Sequence, residues 1–341
     1  MRYIGSKSAL VAEIRELVDE QARDSKVFCD LFAGTGAVGR EFKGTHKLVS
    51  NDIMHFAFVL NAAYNGLSRS PEFSTLRALL GQDPIEFLNN ICVSTADIGP
   101  KDFMALAYSP AGESARRYLT SENAVLIDRM RQQINSWREL RLLEEDETNY
   151  LLACLIEQVP SVSNTTGTYG AYLKHWDKRA LKRIELKHID VIPTEHQNLV
   201  FNEDANKLVR RLTGDVLYLD TPYNGRQYSS NYHLLESLSL YDSPALKGVT
   251  GTRVDRAGES EYCKRSTVFN AFDDLLANAD FGTVVMSYSS DGLLSEAQLT
   301  ELMTRNGNVK TLKFRKIEYR RYKRTANDER VALEYLIAVN R

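Results

Sequence analysis

A short apolar run, VFCDLF (27–32), passes directly into a glycine-rich turn, AGTGAVG (33–39), and no other junction constrains the fold of this chain as tightly. Four to six apolar residues bounded by glycines read as a buried strand, and glycine tolerates the positive φ that a tight strand-to-helix turn demands. Gly34, Gly36 and Gly39 spell GxGxxG in that context, strand before and helix after. KLVSND (47–52) follows about one βαβ unit later as a second strand, and MHFAFVL (54–60) reads as another helix. Upstream, Leu10, Val11, Ile14, Leu17 and Val18 recur at helical spacing. This alternation predicts the α/β class with a doubly wound, mostly parallel sheet.

The alternation lapses from residue 61 to 190. Leu126, Ile127, Met130, Ile134 and Trp137 share one helical face, and Leu151, Leu152, Leu155, Ile156 and Val159 share another that stops at Pro160. A polar, Gly- and Tyr-containing stretch follows, SVSNTTGTYGAYLKHWDKRALK (161–182). The expectation is an inserted, mainly helical lobe over 61–190 with this loop at its tip, and a main domain made of 1–60 and 191–341. Strand signals resume with VLYL (216–219) and TVVMSY (283–288), flanking a helical HLLESLSL (233–240). VKTLKFRKIEY and VALEYLIAV close the chain as an antiparallel hairpin whose connection carries YRRYKR.

Forty-three Lys and Arg against 45 Asp and Glu leave a formal charge of −2, so whole-chain charge names no partner. Distribution says more. Lys174, Lys178, Arg179, Lys182, Arg183 and Lys187 cluster in 174–187, and Lys313, Arg315, Lys316, Arg320, Arg321, Lys323 and Arg324 in 313–324. Two basic segments on a slightly acidic chain suit a surface offered to phosphates, although a solvated face reads the same way. Cys29, Cys92, Cys154 and Cys263 lie far apart without CxxC spacing, which disfavours a disulfide framework or structural zinc and predicts reduced thiols and no metal. No run approaches the length of a membrane span, and Glu13 and Arg15 interrupt any signal-peptide core, so a cytoplasmic location without membrane contact is expected.

A glycine loop at a helix start serves NAD, FAD or S-adenosylmethionine about equally well, and Asp52, ending the second strand, would accept from the ribose hydroxyls of any of them. Asp30 discriminates better, because a carboxylate beside the loop suits a cationic amino-acid moiety rather than a pyrophosphate. Asp220-Thr221-Pro222-Tyr223 follows VLYL, at the carboxyl edge where α/β sheets place ligands. Its chemistry fits methylation of an exocyclic amino group. That nitrogen's lone pair is delocalised into the base, and two acceptors near the NH2 bias it toward a tetrahedral nucleophile. Asp220 supplies one acceptor; Pro222, with no N–H, stiffens the chain that aims a main-chain carbonyl as the second. Tyr223 offers a ring on which an extruded base stacks.

YIGSK (3–7), DLFAGTG (30–36), NDI (51–53) and DTPY (220–223), in this order, resemble the Dam-like bacterial DNA adenine-N6 methyltransferases, including restriction-modification methylases. The resemblance spans essentially the whole chain. It implies a Rossmann-like methyltransferase sheet, S-adenosylmethionine as cofactor and double-stranded DNA as partner. It further implies cofactor contacts at Tyr3, Lys7, Phe32 and Asp52, with Asp204 in FNEDANKLV as an added acid, alongside Asp30, Gly34 and Gly36. The family's DNA-recognition region corresponds to 61–190. Thr221 stands where the family more often has Pro, but the Asp, Pro and Tyr that do the chemistry are present.

The expected reaction is direct in-line attack of adenine N6 on the sulfonium methyl, with no covalent enzyme intermediate. Methylation of cytosine N4 or of RNA adenine uses similar geometry, and a DNA-binding protein with the fold but no turnover is the rival of another class. The lobe loop, 163–172, leads from Asn164, Thr168 and Tyr169, able to reach base edges, into Lys174, Lys178 and Arg179, able to hold the backbone. Arg320, Arg321, Lys323 and Arg324 are further phosphate candidates. A cognate restriction endonuclease acting separately is a possible partner; oligomeric state and target sequence have no signature in the chain.

Overall fold

The computed structural model describes residues 7–255, 258–319 and 332–341. The chain divides into two units, each discontinuous in sequence.

One unit holds Lys7–Ile53, Thr194–Tyr228 and Gly258–Arg341. Its sheet has seven strands, β1 (Val27–Asp30), β2 (Lys47–Asn51), β3 (Leu199–Phe201), β4 (Thr213–Leu219), β5 (Asp280–Ser289), β6 (Lys313–Tyr319) and β7 (Ala332–Asn340), in the order β3-β2-β1-β4-β5-β7-β6. The first five are parallel; β7 pairs antiparallel with β5, and the edge strand β6 pairs antiparallel with β7. β1 and β4 pair directly, so the strand order reverses on either side of β1. That reversal is the switch point at which open α/β sheets bind ligands.

The apolar runs are continuous because both faces of the central strands are covered. Cys29, Leu31, Leu217, Leu219, Val284, Met286, Ile337 and Val339 face one way, onto α7 (Val268–Ala277) and α8 (Glu296–Arg305) through Phe272, Leu275, Leu299 and Leu302. Phe28, Leu48, Val216, Tyr218, Val285, Leu336 and Ala338 face the other, onto Ile14, Leu17 and Val18 of α1 (Val11–Gln21) and Phe42 of α2 (Ala37–Phe42). Phe28 and Phe42 stack at 3.9 Å. Each such side chain contributes about 1.5–3 kcal/mol on burial. The hairpin expected from VKTLKFRKIEY and VALEYLIAV is present, with Phe314 opposite Ile337.

The other unit includes Met54–Pro193 and Ser229–Ala257 and is mainly helical. Here α3 (His55–Asn61) runs on into a π turn at Ala62–Gly66. Thr120 caps α4 (Ser121–Glu139), while α5 (Glu145–Gln158) starts in a Glu144/Glu147 capping box and stops before Pro160. The acidic run between them is therefore a helix start, where three carboxylates meet the positive end of the dipole. The expected lobe boundaries, 61–190, need correcting at two places. α6 (Tyr228–Leu240), expected with the sheet, groups with the lobe from Ser229, and so does α3. The cause is Glu236, whose two carboxylate oxygens accept from the His55 and Phe56 N–H groups and so anchor the first turn of α3 on α6.

Candidate active site

Three strand ends converge at the carboxyl edge of the sheet. After β1, the Ala33 N–H donates to Asn51 O, and Gly34 and Gly36 take φ of 51° and 75°. An L side chain there is strained, which explains glycine at both positions. Asp52, one residue past β2, accepts the Gly34 N–H at 2.8 Å and so fixes the loop. Asn51 stitches the ends of β1 and β3 together: its amide donates to Leu31 O and Glu203 O and accepts from Glu203 N.

Asp30, at the end of β1, is 2% exposed, and its Oδ1 has no hydrogen-bond partner among the described residues. Burial raises its pKa well above the carboxylate range, with the charges of Asp220 and Asp52 adding to the shift. Phe32 packs edge-to-face on buried Tyr262 at 5.0 Å, and the Tyr262 hydroxyl donates to Asn206. Asp204 is exposed and caps the short helix Ala205–Val209 through the Lys207 N–H, a structural duty present whether or not a ligand binds.

Asp220 follows β4. Its Oδ1 lies 2.8 Å from the Lys7 ammonium, which also lies 3.1 Å from Glu334 Oε1. Lys7 and Glu334 are 4% and 6% exposed, and the Asp220 side chain is 19% exposed, so the aspartate is the open end of the cluster. Burial pushes the Asp220 carboxyl up to about 6; Lys7 opposes the shift and Glu334 adds to it. Burial works against the Lys7 charge, but the two carboxylates outweigh it and its pKa is raised. The Tyr223 ring centroid is 5.7 Å from the Lys7 ammonium, and Tyr223 O accepts from Leu293 N, which fixes the turn after Pro222. Thr221 is buried, and its hydroxyl has no partner among the described residues. The arrangement offers an acceptor carboxylate beside an aromatic ring, next to a second buried carboxyl with no cation of its own among the described residues.

The structure thus brings together Lys7, Asp30, Phe32, Gly34, Gly36, Asp52, Pro222 and Tyr223 with Asp220 in one unit. Tyr3, Arg320, Arg321, Lys323 and Arg324 lie outside the described residues. Glu334, Asn51 and Tyr262 join the site without having been expected from the sequence. A lone acid inside the apolar VALEYLIAV was the available signal for Glu334.

The lobe loop differs from expectation. Asn164 is fully buried: it donates to Leu173 O and accepts from Asp177 N. Tyr169 is 2% exposed, with its hydroxyl on Ser163 and its carbonyl accepting from the Tyr118 hydroxyl. Both side chains build the loop, and the expectation that they reach base edges is corrected. Arg179 is half-buried and donates to Ser163 O and Thr165 O. Thr168 is half-buried, while Lys174 and Lys178 are exposed. A cavity of about 840 Å³ opens beside this loop, lined by residues including Glu157, Thr166, Asp177 and Arg179.

The family model of D12 class N6 adenine-specific DNA methyltransferases matches residues 3–302. The Type II methyltransferase M.FokI of Planomicrobium okeanokoites is 43% identical over 343 residues, covering 100% of this chain and 53% of its own length. The modification methylase StsI of Streptococcus sanguinis is 42% identical, over 94% of this chain and 49% of its own. The Type II methyltransferase M.NlaIII of Neisseria lactamica is 38% identical, over 97% of this chain and 95% of its own. The chain therefore spans about half the length of the first two relatives and nearly all of the third.

Proposed function

We propose that this chain, which belongs to the D12 class of N6 adenine-specific DNA methyltransferases, moves a methyl group from S-adenosylmethionine to N6 of an adenine turned out of double-stranded DNA. The observation that carries the reading is Asp220 at the end of β4, partly open, ion-paired to buried Lys7, with the Tyr223 ring beside that ammonium.

The residues present suit the cofactor. Asp30 is a buried carboxyl with an oxygen unpartnered among the described residues, the group an amino-acid ammonium would satisfy. Asp52 offers a charged acceptor for ribose hydroxyls, Gly34 and Gly36 keep side chains out of the turn, and Phe32 lends an apolar surface. When bound, S-adenosylmethionine supplies a methyl on an electrophilic sulfonium. Asp220, whose carboxyl burial pushes up to about 6, accepts in its ionised form from the adenine amino group and turns its nitrogen into a better nucleophile. Tyr223 stacks the extruded base and recovers part of the few kcal/mol that unstacking costs. Exposed Lys174 and Lys178 hold phosphates, with Arg320, Arg321, Lys323 and Arg324 as further phosphate contacts in this reading. Direct positioning carries most of the rate, with no covalent intermediate.

The relatives' names, modification methylase and Type II methyltransferase, support a modification role; the reading adds a separately acting endonuclease as partner and a cytoplasmic location. The test is incubation with methyl-labelled cofactor and duplex DNA, then digestion to nucleosides. Label in N6-methyldeoxyadenosine is expected. Label in N4-methyldeoxycytidine, or none, would overturn the reading.

A further inference from the structure

We propose that Glu334 is a positioning residue for this reaction, one that holds the Lys7 ammonium beside Asp220 and competes with Asp220 for it. The inference rests on the proposed methyl transfer and assigns a role to a residue of the reversed hairpin, outside the motifs that carry the family resemblance.

Glu334 sits on β7 directly opposite Ser289 of β5 and Ile317 of β6. It interrupts a strand whose neighbours, Tyr335, Leu336 and Ile337, are core residues. An acid in such a place is costly unless it has a cation and a donor. It has both. The Ser287 hydroxyl, diagonally across the same face of the sheet, donates to Oε1 at 2.7 Å, and the Lys7 ammonium lies 3.1 Å from the same oxygen. Ser287 fixes Glu334, Glu334 fixes Lys7, and Lys7 reaches Asp220.

The stoichiometry gives the arrangement its consequence. One ammonium faces two carboxylates, so neither has it alone. Asp220 is held firmly enough to stay oriented, yet shares its cation with a competitor and can turn toward an incoming amino group. Among the described residues, Lys7 from the turn before α1 and Glu334 on β7 act on Asp220, while Asp30 at the end of β1 and Tyr218 within β4 feel the Asp220 charge. Of these, Lys7 and Glu334 are the pair whose balance one substitution alters. Removing the Glu334 charge gives Lys7 wholly to Asp220. The aspartate then ionises at lower pH and is bound more tightly to the lysine.

The test compares Glu334→Gln and Ser287→Ala with the wild type in two readouts. In turnover against pH, E334Q should move the acid limb of kcat down by about one unit. Its plateau should fall roughly ten- to hundredfold through lost positioning, with KM for cofactor and DNA within about twofold. In the free protein, a 13C-carboxyl titration of Asp220, assigned by its loss in Asp220→Asn, should move in the same direction. S287A should shift both readouts the same way by less, and it decides the matter if E334Q does not fold. An unmoved limb and titration in a variant that still folds would overturn the proposal while leaving methyl transfer intact. A titration that moves in a protein that methylates no DNA would overturn the proposed function and leave the Lys7–Asp220–Glu334 coupling standing.

Discussion

Asp128 in the lobe and Asp30 at the sheet edge are both buried carboxyls, 0% and 2% exposed, in different company. Asp128 accepts from the Met104 and Ala105 N–H groups, which start a helix, and from the Tyr241 hydroxyl. Asp30 leaves an oxygen unpartnered among the described residues and feels two further acids, Asp220 and Asp52. The pattern extends to their neighbours. In the lobe, Glu236 caps α3, Arg131 donates to Leu238 O and Ser239 O, and Arg116 closes on Ala107, Gly248 and Val249 carbonyls. At the sheet edge, Asp220 and Glu334 divide one lysine. Buried polarity in the lobe completes the backbone, whereas at the sheet edge it leaves more acidic groups than cations among the described residues. Such an excess lowers stability and is expected where a cationic ligand binds.

The contrast is most exposed to refutation at Lys7. Lys7→Ala should destabilise the fold by about 3–5 kcal/mol at neutral pH, since it strands buried Glu334 and partly open Asp220 without their cation. The sign with pH follows from the two partners. The Lys7 pKa is raised, so its ammonium persists across the neutral range, while Asp220 takes up a proton as pH falls through about 6. The deficit should therefore shrink below pH 6. Denaturant titrations at pH 8 and pH 5 would show it; an equal loss at both would remove the acid excess from the account.

Asn164→Ala supplies the lobe's counterpart. It should cost about 1–3 kcal/mol with no such pH dependence, because it leaves a half-buried carbonyl and N–H of the loop without their partners. A mutant of wild-type stability with altered site choice would return Asn164 to base reading.

Asp52→Ala should weaken cofactor binding by roughly 1–3 kcal/mol through lost charged hydrogen bonds, read by calorimetry. Unchanged isotherms would place the cofactor away from β2.

Asp30→Asn separates stability from binding. The folded-state pKa of Asp30 is raised, so its burial costs nothing below the unfolded carboxyl value, and the penalty grows as pH rises above it. The variant should gain about 2–4 °C in Tm at pH 8, no gain near pH 3, and weaker cofactor binding. Binding by the wild type should release a proton, seen as a buffer-dependent heat. A lower Tm at pH 8 would mean that the carboxylate is paired after all.

The smallest effect expected is at Lys178. Its alanine variant should weaken binding to all DNA sites alike and flatten the salt dependence by about one unit of slope. A change in site choice instead would contradict a phosphate contact.

Local signals made much of this legible from sequence. The β1 turn is written in Gly34 and Gly36, the β4 end in an apolar run followed by Asp and Pro, and the closing hairpin in two strands of opposite polarity pattern. Glu334 escaped because its partner, Lys7, lies at the other end of the chain, and pairing across such a distance leaves no local trace. The lobe loop misled for a different reason. Asn, Thr and Tyr satisfy a loop's own backbone as readily as they read a base, and composition does not distinguish the two uses. α6 looked like one more crossover helix; Glu236, which ties it to α3, is an unremarked acid in HLLESLSL.

The central claim is that Asp220 at the β4 edge carries methyl transfer to adenine. Single-turnover formation of N6-methyldeoxyadenosine by Asp220→Ala, at saturating cofactor and DNA with cofactor affinity measured in parallel, tests it most directly. The account predicts a rate at least about 10²–10³-fold below wild type with cofactor affinity changed far less. A near-wild-type rate, or a loss explained wholly by failed cofactor binding, would contradict it.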